Sequence, residues 1–310
     1  MRIAVTGAHG FIGDALVRTL RERGDEVHPI VRRSPELGEI GIDLARRRLD
    51  PSRLPGRSLE GIDAAVHLAG APIATRWTAR RLEVIRSSRV AIGDVLARSL
   101  ACLDRPPAVL VSGSAVGIYG DRGDELLDES SLGGSGLLAD LCRSWEAAAA
   151  PAAEAGIRVV TIRSGIVLGG NEGAAGGILA AELPFFKLGL GARLGSGRQW
   201  TSWIALDDEI AVILRAIDDA ELSGAVNSTA PNPVRNAELT DAIAHAVGRR
   251  SRLVVPAAAL RLGLGRAAAN EFALASQRAL PKKLVDAGYV HAYPHLGDAL
   301  SAAISPLAPR

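Results

Sequence analysis

Arg2-Ile-Ala-Val-Thr-Gly-Ala-His-Gly-Phe-Ile-Gly13 decides how the rest of the chain is read. Residues Arg2 to Thr6 have the make-up of a short buried strand. Gly7, Gly10 and Gly13 follow, and Ile12, Leu16, Thr19 and Leu20 then fall on one face at helical spacing. A strand, a glycine turn and a helix start, in that order, present backbone N–H groups where a pyrophosphate can sit. Glycine spacing alone says little, because an ordinary tight turn has it too. Set between a strand and a helix, it becomes a dinucleotide-binding signal.

The second strand, Val27 to Val31, ends in Arg32-Arg33. A site built for NAD usually carries a carboxylate there, for the ribose 2′-hydroxyl. A guanidinium suits a 2′-phosphate instead, since it offers several donors in a planar fork and never loses its charge. The expected cofactor is therefore NADP(H), with solvated arginines as the competing reading. Asp43, after a third strand around Glu39 to Ile42, is a candidate acceptor for the adenine amino group.

The 310 residues suffice for one large domain or two closely joined ones. Hydrophobic residues make up 48%, which marks a globular chain and not a disordered one. A formal charge of +2 and scattered arginines argue against a nucleic-acid stripe or a polybasic membrane anchor. Cys102 and Cys142 lie far apart and suggest no disulfide framework. No apolar run reaches the length of a membrane span, and the first strand begins too early to leave room for a signal peptide. No histidine shows metal-ligand spacing. These features predict a cytoplasmic protein with a small-molecule substrate and no nucleic-acid or membrane partner, as a monomer or a homodimer.

Strands alternate with helices through the first half. Ala64 to Leu68 is a fourth strand, followed by a long helix with Leu82, Ile85, Ile92, Leu96 and Leu100 on one stripe. A fifth strand, Ala108 to Ser112, a helix from about Leu137 to Ala155, and a sixth strand, Val159 to Val167, come next. This alternation predicts an α/β fold with a doubly wound parallel sheet and ligands at the C-terminal strand ends. After Gly169 the pattern turns irregular. Leu206 to Ala220 reads as a helix opened by Asp207-Asp208, and Val226 to Thr229 as a strand returning to the sheet. The expected division is a dinucleotide-binding domain over 1–230, with a substrate-lobe insertion at about 170–205, and a small, mainly helical C-terminal lobe over 231–310.

Several stretches resemble the extended and atypical short-chain dehydrogenase/reductases, and within them the NAD-dependent epimerase/dehydratase-like proteins that end in a small domain of unknown function. They are Val5-Thr-Gly-Ala-His-Gly-Phe-Ile-Gly13, His67-Leu-Ala-Gly-Ala-Pro-Ile73, Arg76-Trp77, Ser87-Ser-Arg-Val90, Ser112-Gly-Ser-Ala-Val-Gly-Ile-Tyr-Gly-Asp-Arg-Gly123, Leu141-Cys-Arg-Ser-Trp-Glu146, Gly195-Ser-Gly-Arg-Gln-Trp200 and Thr229-Ala-Pro-Asn-Pro233. The resemblance runs almost end to end and implies a Rossmann-like sheet. The positions expected at the cofactor are Gly7, His9, Gly10, Phe11 and Ile12 of the first turn, Arg32, Arg33, Asp43 and Leu44 after the next strands, Leu68, Ala69 and Gly70 after the fourth, and Val167. Arg76 joins them by resemblance, as a contact to NADP phosphate or ribose.

The usual enzymes of that superfamily use a Tyr-x-x-x-Lys pair, in which the lysine charge and the cofactor lower the tyrosine pKa for proton transfer. None of Tyr119, Tyr289 and Tyr293 has a lysine four positions later. If Glu146 keeps the register of the helix that carries the pair, the tyrosine place falls at Leu138, the lysine place at Cys142 and an asparagine place at Arg89. The serine survives as Ser114. Candidate catalytic residues are Ser114, as a donor to a substrate carbonyl, and Tyr119, as a proton source with no cation visible beside it. A plain strand-end serine and a packed aromatic are the bland alternatives. Trp200 and Trp203 are candidate walls of a substrate pocket.

Two functional readings follow. The first is an NADP(H)-dependent oxidoreductase or epimerase-like enzyme with a rearranged acid–base group and an unidentified small-molecule substrate. The second is a non-catalytic NADPH-binding sensor or regulatory protein.

Overall fold

In a computed structural model of the chain, residues 1–32, 39–43, 48–50, 59–171 and 174–304 are described. The strands that matter are β1 (Arg2–Thr6), β2 (Glu26–Val31), β3 (Ile40–Asp43), β4 (Arg48–Asp50), β5 (Ala64–His67), β6 (Val109–Ala115), β7 (Arg158–Ser164), β8 (Ile166–Leu168), β9 (Trp203–Ala205) and β10 (Gly224–Ser228). The helices are α1 (Phe11–Glu22), α2 (Ala79–Arg86), α3 (Ile92–Ala101), α4 (Leu137–Ala147), α5 (Ala150–Glu154), α6 (Gly177–Lys187), α7 (Leu206–Asp218), α8 (Asn236–Ala246), α9 (Ala257–Leu264) and α10 (Leu296–Ile304).

Eight strands form the central sheet, in the order β10-β7-β6-β5-β1-β2-β3-β4. All its pairings are parallel except that of β4 with β3. Alternation along each strand explains why both faces are covered. Ile3, Val5, Val66, Val111 and Ile162 point into one core with α1 and α7, while Ala4, Ala65 and Leu110 turn to the other with α3. The chain runs outward from β1 through β2 to β3, then returns to β5 on the other side of β1. That reversal opens a crevice at the C-terminal ends of β1 and β5, where open α/β sheets bind their ligands.

Three elements differ from the sequence expectation. The helix expected over 137–155 is two pieces, because Pro151 sits in the first turn of α5 and brings no N–H to a continuing ladder. The strand expected over 159–167 is split at Gly165 into β7 and β8. A Cβ there would lie 2.7 Å from the Ser202 carbonyl oxygen, so glycine lets β8 leave the main sheet and pair with β9. The long helix after β5 contains a π-helical turn, Ser87–Ala91, between α2 and α3. Such turns free a carbonyl from the ordinary ladder, and here the Arg89 carbonyl lies 2.9 Å from His67 Nε2.

The smaller lobe has its own core, in which Leu179, Phe186, Trp203, Leu239 and Leu300 meet. Two acids at the start of α7 tie it to the sheet. Asp208 accepts from the Ala292 and Tyr293 amides at 2.8 and 2.9 Å and from the Tyr289 hydroxyl at 3.0 Å. Fully buried Glu209 accepts from Ser164 and Ser228 at 2.7 and 2.5 Å, bridging β7 and β10.

Candidate functional site

The glycine turn is fixed by contacts that only hydrogen allows. Gly7 has φ +74°, and a Cβ on it would stand 2.7 Å from the Leu68 carbonyl. A Cβ on Gly13 would stand 2.0 Å from the Gly7 oxygen, so α1 packs directly on the turn. Gly10 is the N-cap of α1, with φ −85° and ψ 171°, and no side chain caps the helix start. An uncapped start with a buried apolar stripe behind it presents N–H groups and a positive dipole end to the crevice.

A cleft of about 840 Å³ opens there, within the range of cofactor sites. Gly7, His9, Gly10, Arg32, Ala69 and Gly70 line it, which brings together six of the positions expected at the cofactor. His9 Nε2 lies 2.7 Å from Glu39 Oε1 at the cleft wall. Phe11, Ile12, Leu68 and Val167 are packed into or against the core behind it. The Phe11 ring closes on Gly176 and Gly177, at the start of α6, where a Cβ would meet it at 2.1 and 3.0 Å. Asp43 ends β3, whereas Arg33 and Leu44 lie outside the described residues. Arg76 is not among the lining residues: its Nη1 donates to the Leu262 carbonyl at 3.0 Å, at the end of α9.

Sequence reasoning missed Arg81 and Ser88, which also line the cleft. Arg81 sits in an arginine-rich helix start that reads as a solvated face, and only Thr78, accepting from the Arg81 amide at 3.2 Å, marks the helix beginning. It also missed the link beneath the turn. Thr6 Oγ1 lies 2.7 Å from His67 Nδ1, and the Ala69 amide donates to the same hydroxyl at 3.3 Å. With Nε2 facing a carbonyl, His67 donates from Nε2 and accepts at Nδ1. Burial pushes its pKa down to about 4, so the ring is neutral and structural.

Ser114 and Tyr119 belong to one network. Ser114 Oγ donates to Glu146 Oε1 at 2.8 Å, and Arg163 clasps the same carboxylate. Arg163 Nη1 donates to the Tyr119 hydroxyl at 3.1 Å, which lies 2.7 Å from Asn227 Oδ1 and 2.9 Å from the Asp128 carbonyl. A cation thus does stand beside Tyr119, against the sequence expectation, because β7 delivers Arg163 from 44 residues away. Tyr119 is nonetheless fully buried, and burial outweighs Arg163 and holds its pKa above the usual phenol value. Cys142 is also buried. Desolvation, helped by the nearby Glu146 charge, pushes its thiol up to about 12.

A second cavity, of about 150 Å³, lies beyond the Pro72–Ile73 segment, where Pro72 lines the cleft and Ile73 the cavity. Ala115 to Gly117 supply one wall, following Ser114. Leu138, at the expected tyrosine place, supplies another. Trp200 lines this cavity, with Nε1 donating to Asp124 at 2.8 Å. Trp203 is a core residue instead, with Nε1 donating to the Asn232 carbonyl at 3.0 Å. Glu271, from a π-helical turn (Ala269–Ala273), reaches the cavity and accepts from the Leu138 amide at 2.8 Å, joining the lobe to the start of α4.

Residues 3–227 match the NAD dependent epimerase/dehydratase family, and residues 255–303 match a domain of unknown function, DUF1731. The chain is 42% identical over 303 residues to the epimerase family protein Mb2239 of Mycobacterium bovis, covering 97% of each chain. The crystal structure of human epimerase family protein SDR39U1 (isoform 2) with NADPH is similar at a TM-score of 0.87 and 32% identity, over 98% of this chain and 99% of that one. A nucleoside-diphosphate sugar epimerase from Corynebacterium glutamicum is similar at a TM-score of 0.76 and 38% identity, over 98% of this chain and 58% of that one. The chain belongs to the NAD dependent epimerase/dehydratase family.

Proposed function

We propose that this chain binds NADP(H) in the cleft over the glycine turn and acts as an oxidoreductase or epimerase-like enzyme on a small molecule held in the second cavity. The observation that carries this reading is the meeting of Gly7, Gly10 and Arg32 in one cleft beside an uncapped helix start. The turn N–H groups suit the pyrophosphate and the Arg32 guanidinium suits a 2′-phosphate. The NADPH of the human relative's structure agrees with that choice. Bound there, the cofactor would supply or accept a hydride. The chain's own residues orient the ligand and shield it. Gln199, Thr240 and Gln277 give the cavity polar contacts, while Val116, Leu138 and Phe272 exclude water.

Within this reading Tyr119 is a buried prop and not the proton donor, and Ser114 positions Glu146 or accepts a hydrogen bond. Arg76 serves the contact between α9 and the loop after β5. The two free thiols, Cys102 and Cys142, fit a reducing cytoplasmic setting. The test is consumption of NADPH with a panel of aldehydes, ketones and imines, together with the appearance of epimerised product from sugar nucleotides, since an epimerase regenerates its cofactor. Turnover that depends on an intact cavity supports an enzyme. The non-catalytic reading has its own observation, since both Ser114 and Tyr119 are already engaged within the protein. NADPH that binds tightly, is left unoxidised by the whole panel and supports no epimerised product would favour it.

A further inference from the structure

Glu182 lies on α6 and lines the second cavity among mostly apolar neighbours, including Ile166, Ile178, Leu239 and Phe272. Among the described residues its carboxylate makes no hydrogen bond or ion pair. No lysine, arginine or histidine appears among the described residues that line this cavity. The other carboxylate there, Glu271, is spent on the Leu138 amide at 2.8 Å. Arg235 and Arg278 are stacked against the Trp200 ring, 4.1 and 4.2 Å from its centroid, and neither lines the cavity.

A carboxylate in such surroundings lacks a counter-charge, and desolvation makes that costly. Burial pushes Glu182 up to about 7, so it is mostly ionised only above neutral pH. A volume of about 150 Å³ is that of a cavity able to take benzene. We propose that the cavity binds a compact apolar molecule carrying one protonated amino group, with the Glu182 carboxylate as its partner. The ammonium supplies the missing charge, and the apolar walls take the hydrocarbon. The proposal rests on reading this cavity as the substrate's place.

Benzylamine, benzyl alcohol and benzoate share one ring and differ in charge, so they separate charge from shape. Calorimetric titrations of the full chain at about pH 8, with and without NADPH, should rank them in that order. Benzylamine should bind at least about tenfold more tightly than the alcohol, as a charge-assisted hydrogen bond implies. In Glu182→Gln the amine and the alcohol should come within about twofold of each other, because the amide keeps the shape and loses the charge. NADPH affinity in that variant should be unchanged. Benzoate binding tightest, an amine preference that survives Glu182→Gln, or no binding of any of the three would overturn the proposal. Failure of NADPH to bind the wild type would instead remove the cofactor reading, while the ranking without NADPH still decides the cavity's charge preference.

Discussion

Arg163 and Glu146 form a two-pronged ion pair, Nε to Oε1 at 2.9 Å and Nη2 to Oε2 at 3.0 Å. Burial works against the arginine's charge, but the bonds to Glu146 offset it and hold the guanidinium pKa above its ordinary value. The pair lies where β7 passes α4, and it holds Ser114 and Tyr119 in place from either side. Its side chains are 11% and 19% exposed, so removing one leaves a mostly buried charge unmatched. Arg163→Met should therefore cost about 3 kcal/mol, toward the lower end for a broken buried pair. Chemical denaturation checks this, and wild-type stability in the variant would show the pair to be idle.

The glycines of the first turn should separate folding from binding. Gly13→Ala puts a Cβ 2.0 Å from the Gly7 oxygen and should lower the melting temperature or prevent folding. Gly10→Ala meets only that oxygen, at 3.1 Å, so the fold should survive while the cleft loses room for phosphate. Circular dichroism together with cofactor titration distinguishes the two. A Gly10→Ala protein with wild-type NADPH affinity would mean that the pyrophosphate lies elsewhere.

Thiol labelling should be one-sided. Cys102 is exposed, whereas Cys142 is buried and its thiol sits at about 12. Iodoacetamide at neutral pH should modify Cys102 in the native protein and reach Cys142 only on unfolding. Rapid native labelling of Cys142, read by peptide mass spectrometry, would contradict its placement in the core.

Glu182 should leave a mark on stability against pH. Its folded pKa, about 7, is raised by burial from an ordinary 4.5. The protonated form is the one that the fold favours, so this contribution is whole below the unfolded value and is lost as pH rises through about 7. The melting temperature should thus fall more between about pH 5 and pH 8 in the wild type than in Glu182→Gln, where nothing titrates at that site. Parallel curves would place the carboxyl in water.

The sheet and the cofactor turn were legible because their signals are local. Continuous apolar runs marked β1, β5 and β6, as buried parallel strands require, and Gly7 to Gly13 marked the turn between strand and helix. The network around Ser114 was not, since Glu146 and Arg163 reach it from a helix and a strand that sequence spacing cannot bring together. Tyr119 therefore read as lacking a cation, and the bond from Arg76 to the Leu262 carbonyl left no mark in the sequence. The spacing around Glu182 carries no mark of its surroundings. Only the packing of the smaller lobe against β8 turns Glu182 toward a cavity. Pro151, inside an alanine-rich run, was the one local sign that the helix there is broken.

The central claim is that the cleft over Gly7 and Gly10 selects NADP(H) through Arg32, and direct titration of the wild type and Arg32→Ala with NADPH and NADH tests it most closely. The wild type should bind NADPH more tightly than NADH by about 1.5–3 kcal/mol, roughly tenfold or more, as expected for hydrogen bonds to a charged phosphate. Arg32→Ala should lose most of that preference while keeping its NADH affinity. Equal wild-type affinities for the two cofactors, or a preference that survives Arg32→Ala, would contradict the account.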